Sequence, residues 1–147
     1  MQPQPYEQML PVDLIALCIW REAANQNLSA KYGVGCSIRN RKKQAPKYGD
    51  GWCGVITRKW QFSSFNENDP NSKKWPQEQD PAWLQTPDGR AWVDSYGCAL
   101  SILEDDSIDI TEGAVLYFSP PLTSPPAEWG SVKHTTTLDK LQFFKAA

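Results

Sequence analysis

The sequence predicts an α+β protein, with helices first and a small antiparallel β-sheet near the C-terminus. Three observations carry this. Residues 14–20 are apolar without a break, as in a helix covered on most of its circumference. Thr86 and Pro87 form a helix start, and Trp92, Tyr96, Ala99 and Leu103 follow at helical spacing as an inward stripe. Residues 114–118, AVLYF, are the best strand in the chain, and 131–137 with 141–144 flank Leu138, Asp139 and Lys140 as a hairpin that pairs beside it.

Taken in order, the first helix starts at Asp13, whose carboxylate is placed to cap the opening turn, and it closes around Glu22 to Asn25. A second helix spans residues 30–43. It carries Tyr32, Cys36 and Ile38 inward, and its end is crowded by Arg39, Arg41, Lys42 and Lys43, where cations suit the helix dipole. Gly33 and Gly35 weaken this helix and permit a close approach of its neighbour. Residues 45–51 are loop by composition, and residues 52–60 form a short helical piece. Residues 61–66, QFSSFN, alternate amide, aromatic and hydroxyl groups and are too polar for a core strand. They suit either a groove wall or a short edge turn. Residues 67–87 are rich in Pro, Asp, Asn and Gln and read as a long surface excursion. The helix after Thr86 stops near Leu103, because Glu104, Asp105 and Asp106 oppose its dipole. Residues 119–126 carry four prolines and are irregular.

The 147 residues fit one domain, with 40% hydrophobic and 22% charged residues, the balance of a soluble globular protein. A net charge of −2 gives no electrostatic case for nucleic acid or for an anionic membrane as a partner, and a monomer is expected. The first residues lack a basic segment and the apolar run after them is short, so neither a signal peptide nor a membrane span is expected. The chain is read as made in the cytoplasm. Cys18, Cys36, Cys53 and Cys98 are widely spaced and His134 is the one histidine. That excludes a three-His zinc site and argues against a structural one, so no metal or cofactor is predicted and the thiols are expected reduced and mostly buried. Trp is enriched to seven residues, most of them expected as core or loop anchors and two as parts of a groove.

The chemistry centres on Glu22. At helical spacing it shares a face with Cys18 and Ile19 rather than a polar face. Burying an unpaired ionised carboxylate is costly, and such a group is held protonated instead. A protonated carboxyl is what general acid catalysis at a glycosidic oxygen requires. The plainer reading points Glu22 out to solvent, or pairs it with Arg21 or with an arginine of the next helix.

Several stretches then fall in order into a known pattern. Ile19, Trp20, Arg21, Glu22, Ala23, Ala24, Asn25 and Gln26 match a helix that ends in a Glu-Ala-Arg-Gly-Glu type motif. Asn40 and Arg41 match an Asn-Arg pair closing the second helix. Residues 52–56, WCGVI, lead to Gln61, Phe62 and Ser63 as a Val-Cys-x-Val-Val segment leads to Gln-Phe-Ser. Asp109, Thr111, Gly113, Ala114, Tyr117 and Phe118 match Asp-x-Thr-x-Gly-Ala-x-x-Tyr-Phe. Over residues 14–144 the chain thus resembles the SleB-type cell wall hydrolases, which include spore-cortex-lytic enzymes and phage lysins. The resemblance implies a lysozyme-like domain that cleaves the peptidoglycan glycan strand, with Glu22 as catalytic acid. It also implies action on the wall after release, for example through a holin-made hole. Gln61, Ser63, Tyr117 and, more weakly, Asn66 are the implied sugar contacts.

The chain departs from that pattern in three places. The family's second glutamate is Gln26, its Arg-Gly pair is Ala24 and Asn25, and its closing Gly-Asn-His-x-Phe-Tyr appears as residues 139–144, DKLQFF, with Leu141 in place of the histidine. A hydrolytic muramidase needs a second carboxylate, for which Glu67, Asp69 and Asp109 are candidates without a compelling spacing. A lytic transglycosylase uses one glutamate for both proton transfers and is preferred. Cys53 with His134 as the dyad of a stem-peptide peptidase or amidase is an alternative, and a non-catalytic glycan-binding module is another.

Overall fold

The computed structural model describes residues 1–59 and 61–147. Trp60, which closes the short helical piece read from the sequence, lies outside the described residues.

Helix α1 (Pro11–Ala23) is the hub, packed on by α2 (Leu28–Lys43), α3 (Gly51–Thr57) and α5 (Pro87–Glu104). Every residue from Leu14 to Arg21 is buried, as the unbroken apolar run requires. The helix begins earlier than Asp13, however. Pro11 takes the first helical position, where a missing N–H costs nothing, and Asp13 sits inside the first turn without capping it. At α2 the cap is Asn27, whose side chain accepts the Ala30 N–H at 2.9 Å. The two glycines of α2 serve different neighbours. A Cβ on Gly35 would lie 2.7 Å from Ile102 of α5, whereas one on Gly33 would lie 2.7 Å from Leu138 and 2.9 Å from Phe143 of the sheet. Close approach is therefore needed on both sides of α2.

Thr86 caps α5 by accepting the Gly89 N–H at 3.1 Å, with Pro87 first in the helix. The helix ends at Glu104, beside the acidic run. Its inward face is Ala91, Trp92, Ser95, Cys98, Ala99 and Ile102. The expected stripe drifts by one residue at its end, so that Leu103 is 40% exposed while Ile102 is buried. Trp20 meets Trp83, just before the end of the short helix α4 (Pro81–Leu84), and Trp92 of α5, both edge to face. These indoles are core anchors.

Strands β1 (Leu116–Phe118), β2 (Val132–Leu138) and β3 (Leu141–Ala146) form an antiparallel sheet in the order β1-β3-β2. Tyr117 stands opposite Phe143. The turn between β2 and β3 is fastened to the junction of α1 and α2. The Asp139 carboxylate accepts the Asn27 N–H at 2.7 Å, and Gln26 Oε1 accepts the Lys140 N–H at 3.1 Å. Helices followed by this small sheet make the lysozyme-like α+β fold anticipated from the sequence.

The excursion over residues 67–87 is pinned rather than loose. Arg21, 7% exposed, donates to the Ser72 and Lys74 carbonyls and to the Tyr6 hydroxyl. Its guanidinium lies 4.9 Å from the ring centres of both Phe65 and Trp75. All four cysteines are free, with Cys18, Cys36 and Cys98 buried. Among the described residues, no helix is long and apolar enough to cross a membrane.

Candidate active site

A groove of about 760 Å³ opens between the end of α1 and the sheet. Glu22, Gln61, Ser63 and Tyr117 all line it, drawn from three separate parts of the chain. Asn66 does not. It follows the 3₁₀ turn Ser63–Phe65, where its N–H closes that turn on the Ser63 carbonyl at 2.9 Å.

The geometry of residues 61–66 explains which side chains reach the groove. Phe62 is buried beneath the Arg41 guanidinium, 4.5 Å from its ring centre, and Phe65 lies beneath Arg21. Gln61 and Ser63, on either side of Phe62, are left to the groove. The aromatic residues anchor, and the polar residues between them line the wall.

Half-buried Glu22 is held through both carboxylate oxygens. Tyr117 Oη donates to Oε1 at 2.7 Å, and the Ser64 N–H approaches Oε2 at 3.4 Å. Burial first, and then the Glu22 charge, push the Tyr117 phenol well above its ordinary range, so it remains an O–H donor. The same two causes, in the same order, push up the Cys18 thiol one turn back along α1, which is thereby an inert buried group behind the site. Neither arginine offered as an ion-pair partner fills that role. Arg21 is committed to the carbonyls of the excursion. Among the described residues no ion pair joins Arg41 to Glu22.

Arg41 is instead a tie-bar. It is 3% exposed, it donates to the Val115 carbonyl and, at 3.2 Å, to Gln61 Oε1, and burial depresses its pKa. Next to it, Asn40 Nδ2 donates to Asp109 Oδ2 and to the Ala114 carbonyl, both at 2.9 Å. Asp109 also accepts from the Thr111 N–H and hydroxyl and from the Gly113 N–H. Burial alone would raise the Asp109 pKa, but these hydrogen bonds outweigh it and hold the carboxyl below its ordinary range. The Asn-Arg and Asp-x-Thr-x-Gly stretches thus aim β1, and with it Tyr117, at Glu22.

Asp109 is therefore architectural. Asp69 caps a short 3₁₀ turn by accepting the Asn71 N–H, and Glu67 is exposed. None of these three lines the groove. The carboxylate that sequence reasoning missed is Glu128, an exposed residue that lines the groove beside Trp129 in the turn Ala127–Trp129. Trp129 is half-buried, backed by Phe118 at 6.2 Å and Phe144 at 5.9 Å between ring centres. It is the one described tryptophan on the groove, where two were expected. Both residues lie in a proline-rich connection with no periodicity, so only the enrichment in Trp hinted at them. Tyr48 and Lys47 add to the rim.

Cys53 and His134 are not brought together as a dyad. Cys53 sits on α3 with its thiol 3.9 Å from the Thr57 hydroxyl, while His134 on β2 engages Thr137 and the Phe144 ring. Neither lines the groove, and among the described residues no hydrogen bond joins them. No set of three His, Cys, Asp or Glu among the described residues could hold a metal ion.

The comparisons with known proteins give the class to which this fold and groove belong. The Cell Wall Hydrolase family profile matches residues 25–144, most of the chain, and the protein belongs to that family. It is accordingly an enzyme that acts on peptidoglycan. The fold is similar to the crystal structure of the catalytic domain of the Bacillus cereus SleB protein, with a TM-score of 0.61 and 20% sequence identity. That superposition covers 97% of this chain and 94% of the other. No curated protein matches. The family match begins at Asn25, just past Glu22, so the role of Glu22 rests on the geometry of the groove.

Proposed function

We propose that the protein cleaves the MurNAc–GlcNAc β-1,4 bond of the glycan strand as a lytic transglycosylase, with Glu22 as the one acid and base. The observation that carries this reading is the setting of Glu22. It is the groove carboxylate gripped from inside the protein, by a phenol that stays protonated and by a backbone amide. Tyr117 fixes Oε1, which leaves the loosely held Oε2 to carry the proton. Glu22 gives that proton to the glycosidic oxygen as the bond to C1 breaks. The resulting carboxylate takes the proton of the muramic acid C6 hydroxyl while O6 bonds to C1. An anhydro ring closes, no water is consumed, and Glu22 regains its starting state.

Gln61 and Ser63 hydrogen-bond the sugars, and the Trp129 face stacks on a sugar ring. Tyr117, read from the sequence as a sugar contact, lines the groove and also holds Glu22. The enzyme acts as a monomer without a cofactor.

Hydrolysis by a muramidase is the second reading, and Glu128 is the observation that favours it. It is a second carboxylate lining the groove, the kind of group with which an inverting enzyme activates water. Mass spectrometry of muropeptides from digested walls separates the two. Anhydro-muramic ends support the proposal, whereas reducing ends assign the reaction to water and a role to Glu128.

A further inference from the structure

Ser64 carries an unexplained polar atom. The residue is 1% exposed, and its hydroxyl is sealed from solvent with no hydrogen-bond partner among the described residues. Buried hydroxyls are seldom left so, and each exception calls for a reason. The same residue's N–H approaches Glu22 Oε2 at 3.4 Å. The hydroxyl oxygen of a serine sits on Cβ, next to the Cα that bears its own amide. A rotation between staggered χ1 wells therefore sweeps it past what that amide touches.

We infer that Ser64 is a positioning residue for Glu22, its hydroxyl turning to donate to Oε2 once the carboxyl has given up its proton. This rests on reading Glu22 as the acid and base. The two oxygens of Glu22 are unequally served. Among the described residues, Oε1 holds the short bond from Tyr117, while Oε2 has only the long amide contact. Charge released on Oε2 needs a donor that is not in the way while Oε2 still carries its proton. A backbone N–H is fixed and only donates, but a hydroxyl rotates and serves as donor or acceptor in turn. The other charged or titratable groups around Glu22 are Cys18 on α1, Arg41 on α2 and Tyr117 on β1. Among the described residues none of these hydrogen-bonds Oε2, and Arg21 is committed elsewhere.

The test is a ¹³C NMR titration of the Glu22 carboxyl in the full chain, for the parent, Ser64→Ala and Ser64→Thr. Losing a donor to the ionised form disfavours that form. Ser64→Ala should therefore move the Glu22 midpoint to higher pH by about one unit, the size of one hydrogen bond to a charged group. Ser64→Thr, which keeps the hydroxyl, should return it towards the parent value, and the alkaline limb of the activity profile should follow both. Ala only deletes an atom from a buried site, so that variant folds and decides the matter alone. A Glu22 midpoint in Ser64→Ala that coincides with the parent overturns the inference, as does a Thr variant that behaves like Ala. The midpoint is read without substrate. A parent that leaves walls intact would sink the proposed reaction, not the link between Ser64 and Glu22.

Discussion

Tyr117 Oη donates to Glu22 Oε1 at 2.7 Å, joining residues 95 apart in sequence across the back of the groove. Nothing in either residue's neighbourhood dictates that meeting. It follows from α1 being buried from Leu14 to Arg21, which fixes Glu22 at its end, and from β1 being aimed by Asn40, Arg41 and Asp109. Replacing Tyr117 by Phe removes the donor and keeps the ring between Phe62 and Phe143. Wall clearance should fall roughly tenfold, the worth of one hydrogen bond to a charged group, with the thermal midpoint nearly unchanged. Full activity would mean that the phenol does not serve the carboxyl.

Asp109 should make stability sensitive to acid. Its folded pKa lies below its unfolded value, so the stability it supplies is fully present above the unfolded pKa of about 3.9. That stability is lost as the pH falls through the folded value. Asp109→Asn should therefore melt lower than the parent at pH 7, with the gap closing towards pH 2. Melts of both proteins across that range check it. A gap that stays constant with pH would show that the carboxylate charge contributes nothing.

Trp129 is predicted to act through binding. Trp129→Ala should raise KM roughly 3- to 10-fold on solubilised glycan strands, from the loss of ring stacking, and leave kcat within about twofold. A fall in kcat with KM unchanged would contradict a platform role.

Much of the fold was legible, because its signals are local. Thr86 with Pro87 marks the start of α5 whatever surrounds it, and an apolar run followed by a lone carboxylate marks α1 and Glu22. The sites that misled are those whose partners are distant. Arg21 beside Glu22 looked like its ion partner, but successive helical residues face different ways, and Arg21 turns to the carbonyls of Ser72 and Lys74. Arg41 read as a cation suited to a helix end, with no hint that it crosses to Val115 and Gln61. Glu128 and Trp129 sit in an aperiodic connection and reach the groove only because the sheet folds them over it. Two departures from the family pattern also touch: Gln26, in place of a glutamate, accepts the N–H of Lys140 in the altered closing motif. That contact was invisible until the β2–β3 turn was placed on the α1–α2 junction.

The thiols should be dispensable. Cys53→Ser should retain wall-degrading activity within a few-fold of the parent, since Cys53 packs on α3 away from the groove. Complete loss in a folded Cys53→Ser protein would favour a cysteine peptidase.

Glu22→Gln tests the central claim most directly. The amide keeps the shape and reach of the side chain but cannot give and recover a proton. Turbidity clearance of purified walls, measured beside a thermal melt of the same variant, reads chemistry and stability together. The account predicts a loss of roughly 10²–10⁴ in activity with stability held or raised. An active but destabilised Glu22→Gln protein would contradict it, because Glu22 would then be a structural carboxylate and the groove's chemistry would belong to another residue.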